Sequence, residues 1–256
     1  MYTKKGILFR ELWQVLSRHR YIFLLSLLAV PVLDFLALAG IRYSILSLMD
    51  CLLTVFSPPF FYFTLLPLSA LWVTLLSMGS ENPMHLIRRK SRRTVYLERI
   101  VHTCLVCLFF EVYSMGWTLF LGSFFSVSFI NWGDGMSFYY VTNFELNRDM
   151  GFWQALLTTG LCVFLGLLTI HAMALLAEGL CRSRIAGFIL MIVSAGWNIA
   201  GFLVPLVTGW LSVGYRAWTM PWRFTVGYIL CPIVILLCWT VGGVLFEKRD
   251  FIRARD

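Results

Sequence analysis

Long apolar stretches recur along the sequence and limit what the chain can fold into. They cover residues 21–40, 59–78, 100–126, 153–176, 185–207 and 226–246. At about 1.5 Å per residue, a helix of about 20 residues is about 30 Å long, which matches the hydrocarbon core of a bilayer. The sequence therefore predicts an all-α, polytopic membrane protein with six transmembrane helices.

The composition also favours lipid as the solvent for most of the chain. Only 13% of the residues are charged and 59% are apolar, whereas a soluble domain has about 25% charged and about 45–50% apolar residues. No polar stretch reaches about 50 residues, the lower size limit of a domain. We therefore predict no large soluble domain within these 256 residues.

The Lys and Arg residues are divided unequally between the two sides of the predicted membrane. Six spans place both termini on one side, and 17 of the 21 basic residues then lie on that side. The other four are Arg42, Arg148, Arg216 and Arg223. Because basic residues collect on the cytoplasmic face of membrane proteins, we expect both termini in the cytoplasm. The same distribution accounts for the net charge of +8, so nucleic acid is not an expected partner.

Residues 1–20 precede the first span and have the pattern of an amphipathic helix. One side of the helical projection holds Leu8, Phe9, Leu12, Trp13, Val15 and Leu16, and the other holds Arg10, Glu11, Gln14, Ser17 and Arg18. A Trp and basic residues on such a helix are typical of a helix that lies in the membrane interface. The alternative interpretation is a basic flank without regular structure.

Residues 80–99 form a polar, basic segment between the second and third spans. The basic residues are Arg88, Arg89, Lys90, Arg92, Arg93 and Arg99. Asn82-Pro83 indicates a turn, because a residue before proline is disfavoured in helical geometry. Pro83 at a first helical position predicts a short helix after it, and a second helix start is expected near Ser91.

Three further segments connect the spans. Residues 41–57 predict either a short outer helix or the end of a longer one, because Pro58-Pro59 interrupts any continuous helix. Residues 127–152 predict an exposed, aromatic outer loop. Residues 208–224, which are rich in Trp, predict a segment that either lies outside the membrane or dips into it and returns.

Four ionisable residues fall inside the predicted spans: Asp34, His102, Glu111 and His171. A charge at the bilayer centre costs at least about 2.5–3.5 kcal/mol, so such residues usually face a bundle interior or a cavity. Asp34, Glu111 and His171 are therefore candidate pathway residues, in substrate contact or proton relay. The alternative is that they are hydrogen-bonded packing groups. His102 lies near the end of its span and is expected at the interface.

Motifs for enzymes are missing from the sequence. No G-x-x-x-x-G-K-[ST], H-E-x-x-H or G-x-S-x-G occurs, so P-loop, zincin and α/β-hydrolase chemistry lack their signatures. Cys104 and Cys107 form a C-x-x-C without a second ligand pair, and packing cysteines are the expected interpretation. We expect no catalytic residues, metal or cofactor in this chain.

Two short motifs and the order of elements resemble a known family. Arg89-Lys90-Ser91-Arg92-Arg93, followed by Tyr96 and Arg99-Ile100, is similar to the run that opens the third span in bacterial ABC-2 type (type V) transporter permeases. The stretch 246–251, FEKRDF, is similar to the tail common in that family. The layout of interfacial helix, six spans, basic segment after the second span and aromatic segment before the sixth resembles the same family over the whole chain.

This resemblance implies a division of labour. A separate cytoplasmic ABC ATPase subunit would hold ATP and Mg, and a second permease subunit, identical or related, would complete the pathway of an exporter in the bacterial cell membrane. The coupling helix would comprise Glu81, Asn82, Pro83, Met84, His85, Leu86 and Ile87. Supporting cytoplasmic contacts would come from Arg10, Glu11, Arg18, Arg88, Arg89, Arg92 and Arg93. Peptide, lipid, drug and glycan exporters share this layout.

Two other classes of protein remain open from the residues alone. The first is a proton-coupled carrier that acts without an ATPase and uses Asp34 and Glu111 as its relay. The second is a membrane-embedded enzyme or a passive assembly factor, for which clustered polar groups at one depth would be required.

Overall fold

A computed structural model of the chain describes residues 15, 17–41, 46–80, 92–181, 183–199, 207–220 and 222–248. Side chains are described at all of these positions except 77–80 and 207–208. The described part is helical and contains no strand. Its only extended pairing is an isolated bridge between Ser47 and Ser128.

The helices follow one another along the chain with short connections. They are α1 (Arg20–Ala39), α2 (Leu48–Val55), α3 (Pro58–Phe60, a π-helical turn Phe61–Leu65 and Leu66–Ser80), α4 (Arg92–Phe125), α5 (Phe138–Asn143), α6 (Phe152–Cys181), α7 (Arg184–Ile199) and α8 (Trp222–Glu247). Two 3₁₀ turns, Val207–Leu211 and Tyr215–Ala217, precede α8.

Five of these helices are long and apolar enough to cross a membrane: α1, α3, α4, α6 and α8. The prediction of a helical fold with helices that could span a membrane is confirmed by their length and composition. α7 is apolar but has 16 residues, and at about 1.5 Å per residue it covers only about 24 Å of a core about 30 Å thick. Its expected continuation, 200–206, lies outside the described residues, so the sixth span and the topology stay predictions.

Helix α4 is the central element of the bundle and packs against α1, α2, α3, α6 and α8. It runs parallel to α1, since Phe23 contacts Phe109 and Phe35 contacts Phe125. Pro31 lies inside α1 and has no N–H for the carbonyl of Leu27. The Tyr113 hydroxyl of α4 donates to that carbonyl at 2.9 Å. The packing therefore supplies the hydrogen bond that the proline removes.

The bundle has two distinct ends. The basic end contains 92–99, 178–181, 183–184 and 242–248, where Arg92 Nη1 donates to the carbonyl of Glu247 at 3.1 Å. The capped end contains 46–57, 127–150 and 207–220. Most of the largest hydrophobic cluster lies near the capped end and includes Phe56, Trp132 and Trp218. Core packing is therefore concentrated at one end of the molecule.

Two helix ends can be compared with the expected boundaries. α4 begins at Arg92, next to the helix start expected near Ser91, and runs without a break into the span expected from Ile100, because Val95 and Tyr96 pack into a buried cluster with Phe246. α6 continues to Cys181, beyond the expected end of its span at 176, and the connection to α7 shrinks accordingly.

The connecting segments also differ from expectation. Residues 41–57 contain the short helix α2, one of the two predicted alternatives. The expected exposed loop 127–152 is wrong in part, because it contains α5 and buries Trp132 and Tyr139. Of the expected interfacial helix 1–20, Val15, Ser17 and Arg18 are helical; 1–14 and 16 lie outside the described residues.

Candidate functional site

Asp34 is the most deeply placed of the candidate pathway residues. Its side chain is fully buried between α1 and α4, where Oδ2 accepts from Thr118 Oγ1 at 3.2 Å and from Ser114 Oγ at 3.5 Å. The Thr118 hydroxyl has one proton and also lies 2.8 Å from the carbonyl of Ser114. Asp34 Oδ1 is buried and has no hydrogen-bond partner in the described part of the chain. The carboxyl group is thus buried with few donors.

Glu111 lies on the same face of α4 as Ser114 and Thr118, because residues three and seven apart on a helix are neighbours. Its side chain is buried and points at α6, where a Cβ added to Gly160 would lie 3.2 Å from Glu111 Oε1. Glu111 Oε2 and the hydroxyl of the adjacent Thr159 are both buried without a hydrogen-bond partner among the residues described. Gly160 therefore makes room for a carboxyl group in the helix interface.

His171 belongs to a separate contact. Its buried ring lies in the interface between α6 and α3, with Nε2 2.9 Å from the hydroxyl oxygen of Ser69. His171 and Gly160 are three helical turns apart on α6, about 16 Å along its axis. The structure therefore brings Asp34 and Glu111 to one face of α4 and places His171 elsewhere. The fourth ionisable residue, His102, is buried in α4.

The basic end is held by an ion pair. Arg99 Nη2 donates to Glu178 Oε2 at 2.8 Å, joining α4 to α6. Arg99 is buried, whereas Arg18, Arg92 and Arg93 are exposed. The remaining predicted contacts lie outside the described residues: Arg10, Glu11, Glu81, Asn82, Pro83, Met84, His85, Leu86, Ile87, Arg88 and Arg89.

A third buried acid, Asp50, lies at the capped end and was not predicted. Asp50 accepts hydrogen bonds from Ser47 N at 2.8 Å, Ser47 Oγ at 2.7 Å, Trp132 Nε1 at 3.0 Å and Tyr215 Oη at 3.2 Å. Ser47 and Asp50 form the capping box of α2. The Ser-x-x-Asp spacing before an apolar run is a sequence signal for such a box. The distant Trp and Tyr partners have no such signal.

The electrostatics of this network follow from its burial. Burial raises the pKa of the Asp50 carboxyl, and the hydrogen bonds from Ser47, Trp132 and Tyr215 oppose that shift. Burial and the neighbouring Asp50 raise the pKa of Tyr215 well above its usual range. Tyr215 therefore keeps its proton and remains a donor. The network joins three segments of the capped end, which is a structural role.

The arrangement contains no evident metal centre. Within the described ranges, no three His, Cys, Asp or Glu side chains come together in a group that could hold a metal ion. The polar groups that do meet are carboxyl and hydroxyl oxygens on α1, α4 and α6. Such groups contact polar substrate atoms or exchange protons. Comparison of the chain with protein-family models, curated proteins and solved structures finds no match.

Proposed function

We propose that this chain is the membrane subunit of an ATP-driven exporter, moved by a separate cytoplasmic ATPase that engages the segment between α3 and α4. The observation that carries the proposal is where this segment is attached. Trp72 of α3 contacts Phe23 near the start of α1, and Arg92 at the start of α4 contacts Glu247 at the end of α8. The helices on either side of this segment, α3 and α4, therefore end and begin where basic side chains concentrate, as expected for a cytoplasmic face.

In this proposal, helix α4 transmits the movement of the ATPase to the membrane-spanning part of the chain. It has 34 residues, extends from the basic end to the capped end and packs against five other helices. A force applied at Arg92 would tilt a rigid rod whose middle carries Glu111 and whose neighbour carries Asp34. Rigid-body motions of this kind convert a small movement at one site into a rearrangement at another.

The other components follow from the same proposal. The ATPase subunit holds ATP and Mg, and a second membrane subunit, identical or related, encloses the pathway with this one. The chain crosses the cell membrane of a bacterium six times, with α7 and the residues after it forming the fifth span. Both termini lie in the cytoplasm.

Co-purification with the ATPase encoded beside this chain tests the proposal. Replacing Glu81–Ile87 by a Gly-Ser linker of equal length should abolish stimulation of ATP hydrolysis in proteoliposomes, while the thermal unfolding midpoint stays unchanged. Arg216→Gln, an exposed change at the capped end, is the matched control and should leave stimulation intact. Unaltered binding and stimulation in the linker variant would refute the proposal.

A second function is favoured by one observation: Asp34 Oδ1 and Glu111 Oε2 are buried without partners in the part of the chain that the structure describes. A proton-coupled carrier would use these oxygens to take up and release protons. In liposomes loaded with a pH-sensitive dye, the chain alone should then move protons when cargo is supplied. Asp34→Asn and Glu111→Gln should abolish that movement. An ATPase requirement that survives both substitutions would exclude the carrier.

A further inference from the structure

Two adjoining cavities lie along helix α7. The first has a volume of about 410 Å³ and is lined by α3, α6, α7, the Val207–Leu211 turn and the start of α8. The second has a volume of about 720 Å³ and lies between α3 and α7. Tyr62 lines both cavities. Both volumes are in the range of ligand sites, roughly 300–1,000 Å³.

The first cavity carries a cation. Among the described residues that line it, Arg223 is the charged one, and no acidic side chain lines it. Arg223 Nη2 donates to the carbonyl of Gly209 at 3.3 Å. A guanidinium has five N–H donors, so the others remain available for a ligand. Trp197, Trp210 and Trp222 form part of the walls.

The second cavity is mostly apolar, with Tyr62 and Thr74 as its polar side chains. Its lining includes Phe63, Leu66, Phe188 and Ile192 and holds no charged residue among those described. Both Phe63 and Ile192 are strongly exposed, so the cavity opens sideways, toward the face that a bundle of apolar helices turns to lipid. An alkyl chain suits such a groove, because the transfer of apolar surface from water to an apolar environment is favourable.

We propose that the two cavities together bind one amphipathic anion, with its headgroup at Arg223 and its alkyl chain in the groove between α3 and α7. The cation selects the sign of the headgroup charge, because a charged group partly removed from water needs an opposite charge. The aromatic walls suit the boundary between headgroup and chain, where Trp and Tyr are enriched in membrane proteins. The inference rests on the cavities and not on how transport is driven.

Native mass spectrometry of the full chain, purified in a neutral detergent, tests the proposal. With an equal mixture of phosphatidylglycerol and phosphatidylcholine, retention should favour phosphatidylglycerol by about fivefold, the contribution of one basic residue near an anionic headgroup. Arg223→Gln should remove that preference, and Arg223→Lys should keep it. Arg216→Gln is the control and should also keep it. Equal retention of both lipids, or equal behaviour of R223Q and R216Q, would overturn the proposal.

A larger side chain at Gly196, which lines the groove between α3 and α7, tests whether the alkyl chain binds there. A Cβ at Gly196 meets nothing within 4 Å, so Gly196→Leu should fold and reduce lipid retention by occupying the groove. Gly116→Leu on α4, equally unobstructed, should not reduce it. Decyl phosphate distinguishes the source: competition with phosphatidylglycerol indicates a soluble amphipath, and selective retention of the phospholipid indicates a membrane lipid. Retention unchanged in G196L would refute the groove assignment.

Discussion

Asp34 and Asp50 are both fully buried, yet their surroundings differ. Asp50 receives three donors at 3.0 Å or less and a fourth from Tyr215. Asp34 receives two hydroxyl groups at 3.2 and 3.5 Å, and its Oδ1 has no partner within the described residues. Burial alone therefore does not distinguish a structural acid from a candidate functional one. The number and length of the hydrogen bonds that each carboxyl accepts distinguish the two.

The difference has an energetic meaning. A buried polar group without a partner costs about 1–3 kcal/mol, whereas a satisfied one contributes about 0.5–1.5 kcal/mol. Asp50 thus holds the capped end together, because Ser47, Trp132 and Tyr215 come from three separate segments. Asp34 contributes little to stability, and its unsatisfied buried oxygen calls for an explanation.

The largest expected effect is that of Asp50→Ala. It removes the capping box of α2 and leaves the Trp132 N–H buried without its acceptor, whereas the Tyr215 hydroxyl keeps the backbone carbonyl of residue 50 at 3.3 Å. The free energy of unfolding should fall by about 2–4 kcal/mol, from the lost cap and one orphaned donor. Asp34→Ala should cost less than about 2 kcal/mol, because only two long hydrogen bonds are lost. Denaturant unfolding in detergent measures both. Equal losses would erase the distinction between the two acids.

Removing single donors sharpens the comparison. Trp132→Phe deletes the indole N–H that donates to Asp50 and should cost about 1–3 kcal/mol. Thr118→Val removes a donor to Asp34 with little change of shape and should cost less than about 1 kcal/mol. Trp117→Phe is the control for the loss of an indole ring on an apolar helix. The interpretation fails if T118V destabilises the protein more than W132F.

Gly160→Ala tests whether the Glu111 side chain is tightly packed against α6. The new Cβ would lie 3.2 Å from Glu111 Oε1 and 3.4 Å from Met115 Sδ. Crowding of this kind costs about 1 kcal/mol or more. Gly116→Ala meets nothing and should be neutral or slightly stabilising, because Ala favours helices. Thermal unfolding of the two variants gives the difference. Identical midpoints would mean that Glu111 has room to move.

The smallest expected effect is a pH dependence from Asp50. Burial raises the pKa of its carboxyl, so the folded protein holds this proton more tightly than the unfolded chain, whose Asp pKa is about 3.9. The stability that Asp50 contributes is therefore fullest below that pH and decreases as the pH rises through the raised pKa. The advantage of wild type over Asp50→Asn should shrink as the pH rises above about 4. An advantage that grows with pH would show that the hydrogen bonds lower the pKa.

Individual residues show where the sequence was sufficient. Apolar runs predicted the bounds of α1 and α3 closely, because a membrane-spanning helix requires about 20 consecutive, mostly apolar residues. The end of α6 was missed, because Glu178 has the character of a polar terminus in the sequence, and its pairing with Arg99 at 2.8 Å depends on the packing of α4 against α6. The positions of Asp34 and Glu111 within apolar runs identified them as buried acids, but the hydroxyl groups that donate to Asp34 were not identified.

The sequence by itself determined a helical protein with apolar helices long enough for a membrane and a basic end distinct from the other. These properties are local, since they depend on length, hydropathy and charge along the chain. Only the tertiary structure decided which acid is satisfied and which is not. Ser47, Trp132 and Tyr215 are far apart in sequence, and hydrogen bonds between distant residues depend on how helices pack. The tertiary structure also decided the role of Arg223, which became a candidate binding residue because the packing of α7 and α8 places it in the lining of a cavity.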